Sequence, residues 1–389
     1  MYVARLHHVL TDAPIVHKNG TNELKTTPSS RFCPAHSIYW AHPAYKRTNR
    51  LQTATFPQQN GDHMNRRQFL QQAAVASIVL PGTALQPQPA HAATPTADRP
   101  GRQAGYYWLQ LGNVQVAAVS DGTLRSSARL LSEHQDKVAD ALKNAYVTSP
   151  RSTSVNAFLI LASDRRILVD AGSGKLLGPS VNKIVRSLQN GGFGPADITD
   201  ILLTHIHGDH SGGLTVEGKR IFPAATVHVN RVEADFWLSQ ANMDNSPEYF
   251  RPMFVKGRES LAPYLSAAKL STFEAGQTVL PGITAVAAPG HTPGHTCYML
   301  ESQGEKLLFW GDTVHVAEAQ FPLPDTAIEY DLDPQAAISQ RQKLFAQAAE
   351  KGHLVAGAHI SFPGIGHVGK AAQGYQWFPI PYVNDAVDQ

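Results

Sequence analysis

Ile201-Leu-Leu-Thr-His205-Ile-His207-Gly-Asp209-His210-Ser-Gly-Gly213 joins an apolar run to a dense group of metal-competent side chains. Ile201 to Thr204 are apolar or β-prone. Three histidines and a carboxylate follow within six residues, and then a Gly-rich turn. In an extended segment, residues two apart point the same way, so His205 and His207 can grip one ion together. The chain breaks at Gly208. Asp209 and His210 leave in another direction and suit a second ion. Imidazole nitrogens with carboxylate oxygens suit zinc or a similar transition metal. A lone histidine near a turn is usually structural, but four ligand-type residues at this spacing are not explained that way.

Three later segments also end a strand-like run with such a residue. Ala287-Ala-Pro-Gly-His291-Thr-Pro-Gly-His295 presents His291 in a rigid Pro/Gly turn. Phe309-Trp-Gly-Asp312 places Asp312 just past a hydrophobic strand, and Val355-Ala-Gly-Ala-His359 ends in His359. Each is weak alone. Their order after the first group makes the set strong.

The pattern H-x-H-x-D-H after a hydrophobic strand resembles the signature of the metallo-β-lactamase superfamily. Across most of Gly105–Pro381 the sequence is similar to that superfamily's methyl parathion hydrolase and lactonase-like branch. The matching stretches are Tyr106–Thr123, Glu233–Gln240, Val316–Phe321 and Phe362–His367. The resemblance implies an α+β fold, a four-layer αββα sandwich. It implies that His205, His207 and His291 hold one metal, that Asp209, His210 and His359 hold the other, and that Asp312 bridges. The cofactors are then two divalent ions, zinc first. Asp170 orients ligands from behind, and His295 stabilises the His291 turn. Trp237, with Phe250 or Phe254, lines a mostly apolar pocket. Leu177 stands where the branch has a phenylalanine, which puts phosphotriester turnover in doubt more than hydrolysis. A homodimer is also implied.

Two close metal ions turn a bridging water into hydroxide near neutral pH and polarise the bond under attack. Asp312 would fix the bridge and take a proton. The expected activity is therefore hydrolysis of a small, uncharged lactone, ester or organophosphate triester. H-x-H in place of H-x-E weighs against the diiron flavoprotein relatives. The rivals are a mono-iron oxidoreductase of the same fold, such as a persulfide dioxygenase, and a non-catalytic metal-binding protein. His228, His315, His353 and His367 have no matched role.

The 389 residues carry a formal net charge of +2, and 42% are apolar, enough for one large domain or two small ones. Met64-Asn-Arg-Arg-Gln-Phe-Leu70 opens a charged stretch, a short apolar run follows to Leu80, and Ala90-His-Ala92 is a small-x-small site. This reads as a signal peptide over residues 64–92, of the twin-arginine type by Arg66-Arg67. It predicts a periplasmic or secreted protein with no membrane anchor after cleavage. Met1–His63 then reads as a doubtful leader before the true start, and residues 93–389 as the hydrolase domain. Of 33 basic and 31 acidic residues, nine and three precede Ala93, which leaves 24 against 28. A net −4 does not fit a nucleic-acid binder. One cysteine, Cys297, remains, so no internal disulfide forms.

Tyr106–Asp121 predicts a hairpin turning at Gly112-Asn113. Strands are expected at Ser154–Ser163, Arg166–Asp170, Thr226–Val229, Ile283–Ala288, Thr296–Ser302, Lys306–Trp310 and Leu354–Ala358. Helices are expected at Leu130–Ala145, Pro179–Gln189, Arg231–Ser239 and Pro334–Lys351, the last ended by Gly352. Asn242–Pro263, rich in Pro, Asn and aromatics, reads as an irregular lid or substrate loop.

Overall fold

Among the described residues, fourteen strands form two sheets, each assembled in chain order. The first holds β1 (Tyr106–Leu111), β2 (Val114–Ser126), β3 (Arg151–Ala162), β4 (Arg165–Val169), β5 (Asp200–Leu202), β6 (Thr226–Asn230) and β7 (Leu270–Phe273). The second holds β8 (Thr278–Leu280), β9 (Ile283–Ala287), β10 (Thr296–Ser302), β11 (Glu305–Phe309), β12 (Leu354–Ala356), β13 (Ile365–Lys370) and β14 (Tyr375–Pro379). This structure, a computed structural model, describes residues 103–384. The expected leader and signal segment lie outside the described residues.

Side-chain alternation sorts the apolar residues into layers. On β4, Ile167 and Val169 join the cluster between the sheets, with Phe309, Ala356 and Ile365 of the second sheet. Leu168 joins the opposite cluster, with Ile184, Leu188, Phe254 and Leu261. β11 behaves alike. Leu307 and Phe309 face inward, and Leu308 packs with Leu344, Phe345 and Ala348 outside. Strands buried on both faces read as near-continuous apolar runs. Burying each such side chain contributes about 1.5–3 kcal/mol. The result is the αββα sandwich of four layers.

The outer helices follow from local signals. The helices are α1 (Gln135–Asn144), α2 (Ile184–Asn190), α3 (Gly208–Ser211), α4 (Arg231–Leu238), α5 (Gln240–Asn245), α6 (Arg251–Ser266), α7 (Ala317–Gln320) and α8 (Pro334–Lys351). Asp333 caps α8 by accepting from Ala336 N, and Gly352, at φ 66°, closes it in the left-handed conformation. No helix among the described residues is long and apolar enough to cross a membrane.

Three local expectations need correction. Asn242–Pro263 is not a loop, because α5, a short turn at Glu248–Phe250 and α6 fill it. Its prolines sit where helices tolerate them. Pro252 lies in the first turn of α6, where no intrahelical N–H is needed. Pro263 leaves the Glu259 carbonyl without its helical donor, and Thr215 Oγ1 donates to it instead at 3.4 Å. The helix expected from Pro179 starts only at Ile184. Asn182 has φ 68°, and the Asp121 carboxylate takes the Lys183 and Ile184 amides. The helix expected from Leu130 starts at Gln135, because Leu130–Leu131 pairs with Ala327–Ile328. Strands β13 and β14 are not expected from the sequence; β13 is interrupted by Gly366 and Gly369, and β14 ends on Pro379.

Candidate metal centre

The donor residues converge because strands of both sheets end at one place. β5 runs on through Thr204 to His205 and His207. Asp209 and His210 lie in α3, and His291 in the turn between β9 and β10. Asp312 follows β11 and His359 follows β12. All but Asp209 are buried. His205, His207, His291 and Asp312 form one group, and Asp209, His210 and His359 a second, each with ligand atoms within 4.8 Å of one another.

The spacings are those of a metal's coordination shell. Ligands about 2.0–2.1 Å from a tetrahedral ion lie about 3.3 Å from each other. His291 Nε2 is 3.0 Å from His207 Nδ1 and 3.2 Å from Asp312 Oδ2. His205 Nε2 is 3.7 Å from Asp312 Oδ2. In the second group, His359 Nε2 lies 3.4 Å from Asp209 Oδ2 and 3.2 Å from Asp312 Oδ2. His210 Nε2 is 3.7 Å from Asp209 Oδ2 and 3.1 Å from Asp312 Oδ1. The Nε2 atoms of His205 and His210, which face the centre, are buried without a hydrogen-bond partner. Unpartnered ring nitrogens in a dry site are costly, and a cation that takes their lone pairs removes that cost, so the residues fit divalent metal.

Acceptors behind the imidazoles set which nitrogen faces inward. His210 Nδ1 donates to Asp170 Oδ2 at 2.8 Å, His291 Nδ1 to Asp331 Oδ1 at 2.9 Å and His359 Nδ1 to the Ser154 carbonyl at 2.8 Å. Each Nε2 lone pair is thereby turned to the centre. Asp170, at φ 61°, also accepts the Thr204 amide. His295 donates from Nδ1 to the Ala288 carbonyl and accepts the Asp312 amide at Nε2, and burial first of all lowers its pKa to about 3. Gly311, at φ 50°, permits that contact, since a Cβ there would lie 2.6 Å from His295 Nε2.

Electrostatics divides the histidines. Burial, then neighbouring imidazoles, holds His205 and His207 well below the usual histidine value. At His210 burial is overcome by Asp312, Asp170 and Asp209, and the pKa rises well above it. His291 rises to about 9 against burial, through Asp312 and Asp331. His359 rises against burial through Asp312 and Asp209. Burial would raise Asp312, but the imidazoles around it hold its carboxyl well below the carboxylate range. The centre calls for positive charge around an ionised Asp312.

One buried carboxylate ties the two loops together. Glu233 accepts from the Ile206 amide (2.9 Å), Trp237 Nε1 (2.7 Å), Thr292 Oγ1 (2.8 Å) and the Gly294 amide (2.9 Å). Burial raises its pKa all the same.

The family model of the metallo-beta-lactamase superfamily matches residues 151–359, a span that holds all seven donors. The chain belongs to the metallo-beta-lactamase superfamily. Among solved structures it is similar to AbOPH, a hydrolase of the beta lactamase superfamily. Identity is 37%, the match covers 73% of this chain and 100% of that one, and the TM-score is 0.70. It is also similar to AidC, a dizinc quorum-quenching lactonase in complex with the product N-hexanoyl-L-homoserine. Here identity is 28%, coverage 72% and 99%, and the TM-score 0.64. An acyl-coenzyme A thioesterase, MBLAC2 of Gallus gallus, is 30% identical over 168 residues, 41% of this chain and 57% of that protein. The chain spans about half the length of the curated relatives it matches.

A cavity of about 360 Å³ opens over this superfamily centre, with His207, Asp209, His291, Asp312 and His359 among its walls. Leu177 lines it, as expected. Trp237, Phe250 and Phe254 do not. Trp237 and Phe254 are wholly buried and pack with Phe250 as an aromatic layer beneath the centre. The Trp237 ring lies 5.3 Å from that of His207. The indole turns inward because Glu233 claims its N–H. The apolar wall is made instead by Leu124, Met253, Val316 and Ile328, with Tyr330.

Three other residues of the centre escape a reading by sequence. Glu233 and Asp331 act through loops remote in sequence from their targets. His315 is buried, stacks on His359 at 5.3 Å and brings Nε2 to 3.0 Å from Asp312 Oδ2. Its place three residues after Asp312 was the available signal. His228 instead pairs with Asp200, and His367 is exposed.

Proposed function

We propose that this chain is a metal-dependent hydrolase that opens a lactone or cleaves an ester, thioester or phosphotriester. The observation that carries the reading is the set of seven donors at coordination-shell spacing, five of which line a cavity. His205, His207 and His291 would hold one divalent ion and Asp209, His210 and His359 a second, with Asp312 between them, and zinc suits these donors. Bound there, the ions supply an acidified water and Lewis-acid polarisation of the bond under attack.

The chain's own groups do the rest. Asp312, kept ionised, is the proton acceptor on the cavity floor. Asp170, Asp331 and the Ser154 carbonyl hold three imidazoles in one tautomer. Leu177, Met253 and Ile328 shield the body of the substrate from water. Cys297 is wholly buried and does not line the cavity, so it is not placed to act as a nucleophile. The similarity to AidC, AbOPH and the acyl-coenzyme A thioesterase supports hydrolysis of an acyl or related bond. The residue pattern of Met64–Ala92 supports export to the periplasm or medium, and the family resemblance supports a homodimer.

The test is to count metals in the purified protein and assay a lactone, an aryl ester, an aryl thioester and methyl parathion, with and without chelator. Two zinc-type ions per chain and chelator-sensitive turnover are expected. One iron per chain with no hydrolysis would overturn the reading in favour of an iron oxidoreductase.

A further inference from the structure

Three cations line the cavity above the centre: Arg125 near the end of β2, Arg151 at the start of β3 and Lys256 on α6. The strands pair Arg125 with Ser152 and Ser126 with Arg151, so the two arginines sit on neighbouring rungs of the ladder, and both reach the cavity wall. None of the three forms an ion pair among the described residues. The hydrogen bonds of the two arginines go to uncharged oxygens. Arg125 Nη1 donates to Ser152 Oγ at 2.9 Å, and Arg151 Nη2 donates to the Ala128 carbonyl. Arg151 Nε is shielded from solvent and has no hydrogen-bond partner. The carboxylates on the cavity walls, Asp209 and Asp312, are already engaged by imidazoles. A second cavity of about 240 Å³ shares Arg125, Arg151, His315 and His359 with the first, and adds the hydroxyls of Thr148, Ser152 and Ser361. Exposed Glu318 is the only carboxylate on its wall. Unpaired guanidiniums beside hydroxyls form a site for a planar or tetrahedral anion.

We propose that the substrate carries an anionic group, a carboxylate or a phosphate, which Arg125, Arg151 and Lys256 hold while its cleavable bond lies over the donor cluster. This rests on the hydrolase reading and replaces the uncharged substrate expected from the sequence. Leu124, Leu177 and Met253 then cover an apolar segment between the anion and the bond.

Two arms test it on the full chain. The first compares three aryl esters of equal acyl length, ending in a methyl, a carboxylate or a phosphate. The anionic esters should show about tenfold higher kcat/KM, since charge-assisted hydrogen bonds discriminate by that much. The preference should shrink as salt is raised. It should also collapse towards unity in Arg151→Leu and in Arg125→Leu, the latter at an exposed position that tolerates the change. The better of the two anionic esters names the anion. The second arm needs no turnover. Calorimetry on the chelated protein should show glutarate or inorganic phosphate binding where neutral glutaramide does not, weakened about tenfold by either variant. Equal turnover of the neutral and anionic esters, or anion binding that neither variant changes, overturns the proposal. No turnover of any ester, with anion binding intact, would overturn the hydrolase reading alone.

Discussion

Glu233→Gln probes the frame of the centre without touching a donor. The carboxylate takes two donors on each oxygen, and the side chain is wholly buried. An amide keeps only one acceptor oxygen. Placed where Oε1 was, that oxygen keeps the Ile206 amide and the Trp237 indole. The new NH2 then faces Thr292, whose hydroxyl can rotate to accept, and the Gly294 amide, which cannot. The opposite flip orphans both the Ile206 amide and the indole, so the first is preferred. One buried donor is lost, at about 1–3 kcal/mol. Relief from burying a carboxylate offsets part of this, leaving a net of about 1–2 kcal/mol. At about 2–4 °C per kcal/mol, Tm should fall by about 2–8 °C. Ile206 lies between His205 and His207, and Gly294 closes the His291 turn, so the strain falls on one group of donors. Stepwise chelation should then strip one ion from the variant at a concentration the wild type withstands. Glu233→Ala orphans all four donors and should cost more than the glutamine. Scanning calorimetry and metal counting read both effects. Equal Tm for the alanine and glutamine variants, or metal retention like wild type in both, would refute the reasoning.

Other outcomes follow from the same geometry. Asp331→Asn removes the charge behind His291 while leaving an acceptor, and metal titration should show affinity lowered by about 10–100-fold. Gly311→Ala must hold φ 50° and place a Cβ against His295 and Thr204, so denaturant unfolding should show a loss of about 2 kcal/mol or more. Burial would raise the Asp200 carboxyl, but His228, Thr199 and Arg165 overcome it and hold it at about 2, below the ordinary 3.8. A depressed carboxylate stabilises the fold above its unfolded value, and that gain is lost as pH falls from about 4 towards 2. The urea midpoint of Asp200→Asn should thus lie below wild type at pH 5 and approach it at pH 3.

The metal-facing residues were legible because they are local: strand, glycine, donor, repeated at several strand ends. The burial of both sheets was legible because strands such as Ile167-Leu-Val169 and Leu307-Leu-Phe309 are apolar on both faces. What stayed hidden depends on partners distant in sequence. Glu233 lies one helical turn before Trp237, but its burial there is set by Ile206, Thr292 and Gly294, all remote in sequence, so an aromatic expected in the pocket became part of its foundation. The prolines of Asn242–Pro263 looked like breakers, yet they fall in first and last turns. Arg125 and Arg151 are ordinary strand-end residues until β2 and β3 are paired.

The centre also lies on the seam between the two sheets, which explains why its supports are so widely spread. His359, after β12, donates to Ser154 on β3. Asn156 of β3 donates to the carbonyls of Gly357 and Ile360 beyond β12, at 3.1 and 2.7 Å. From β10, the Thr296 amide donates to the Thr204 carbonyl and the Tyr298 hydroxyl to that of Leu203, both just past β5. The donors from the first sheet, His205 to His210, therefore meet those of the second, Asp312 and His359, only where these crossing bonds hold the sheets in register. A ligand that binds only this arrangement stabilises the docking of the two halves by mass action. The cost of assembling buried histidines around an ionised aspartate is thus borne by the sandwich as a whole, and the centre returns stability to the seam once it is filled.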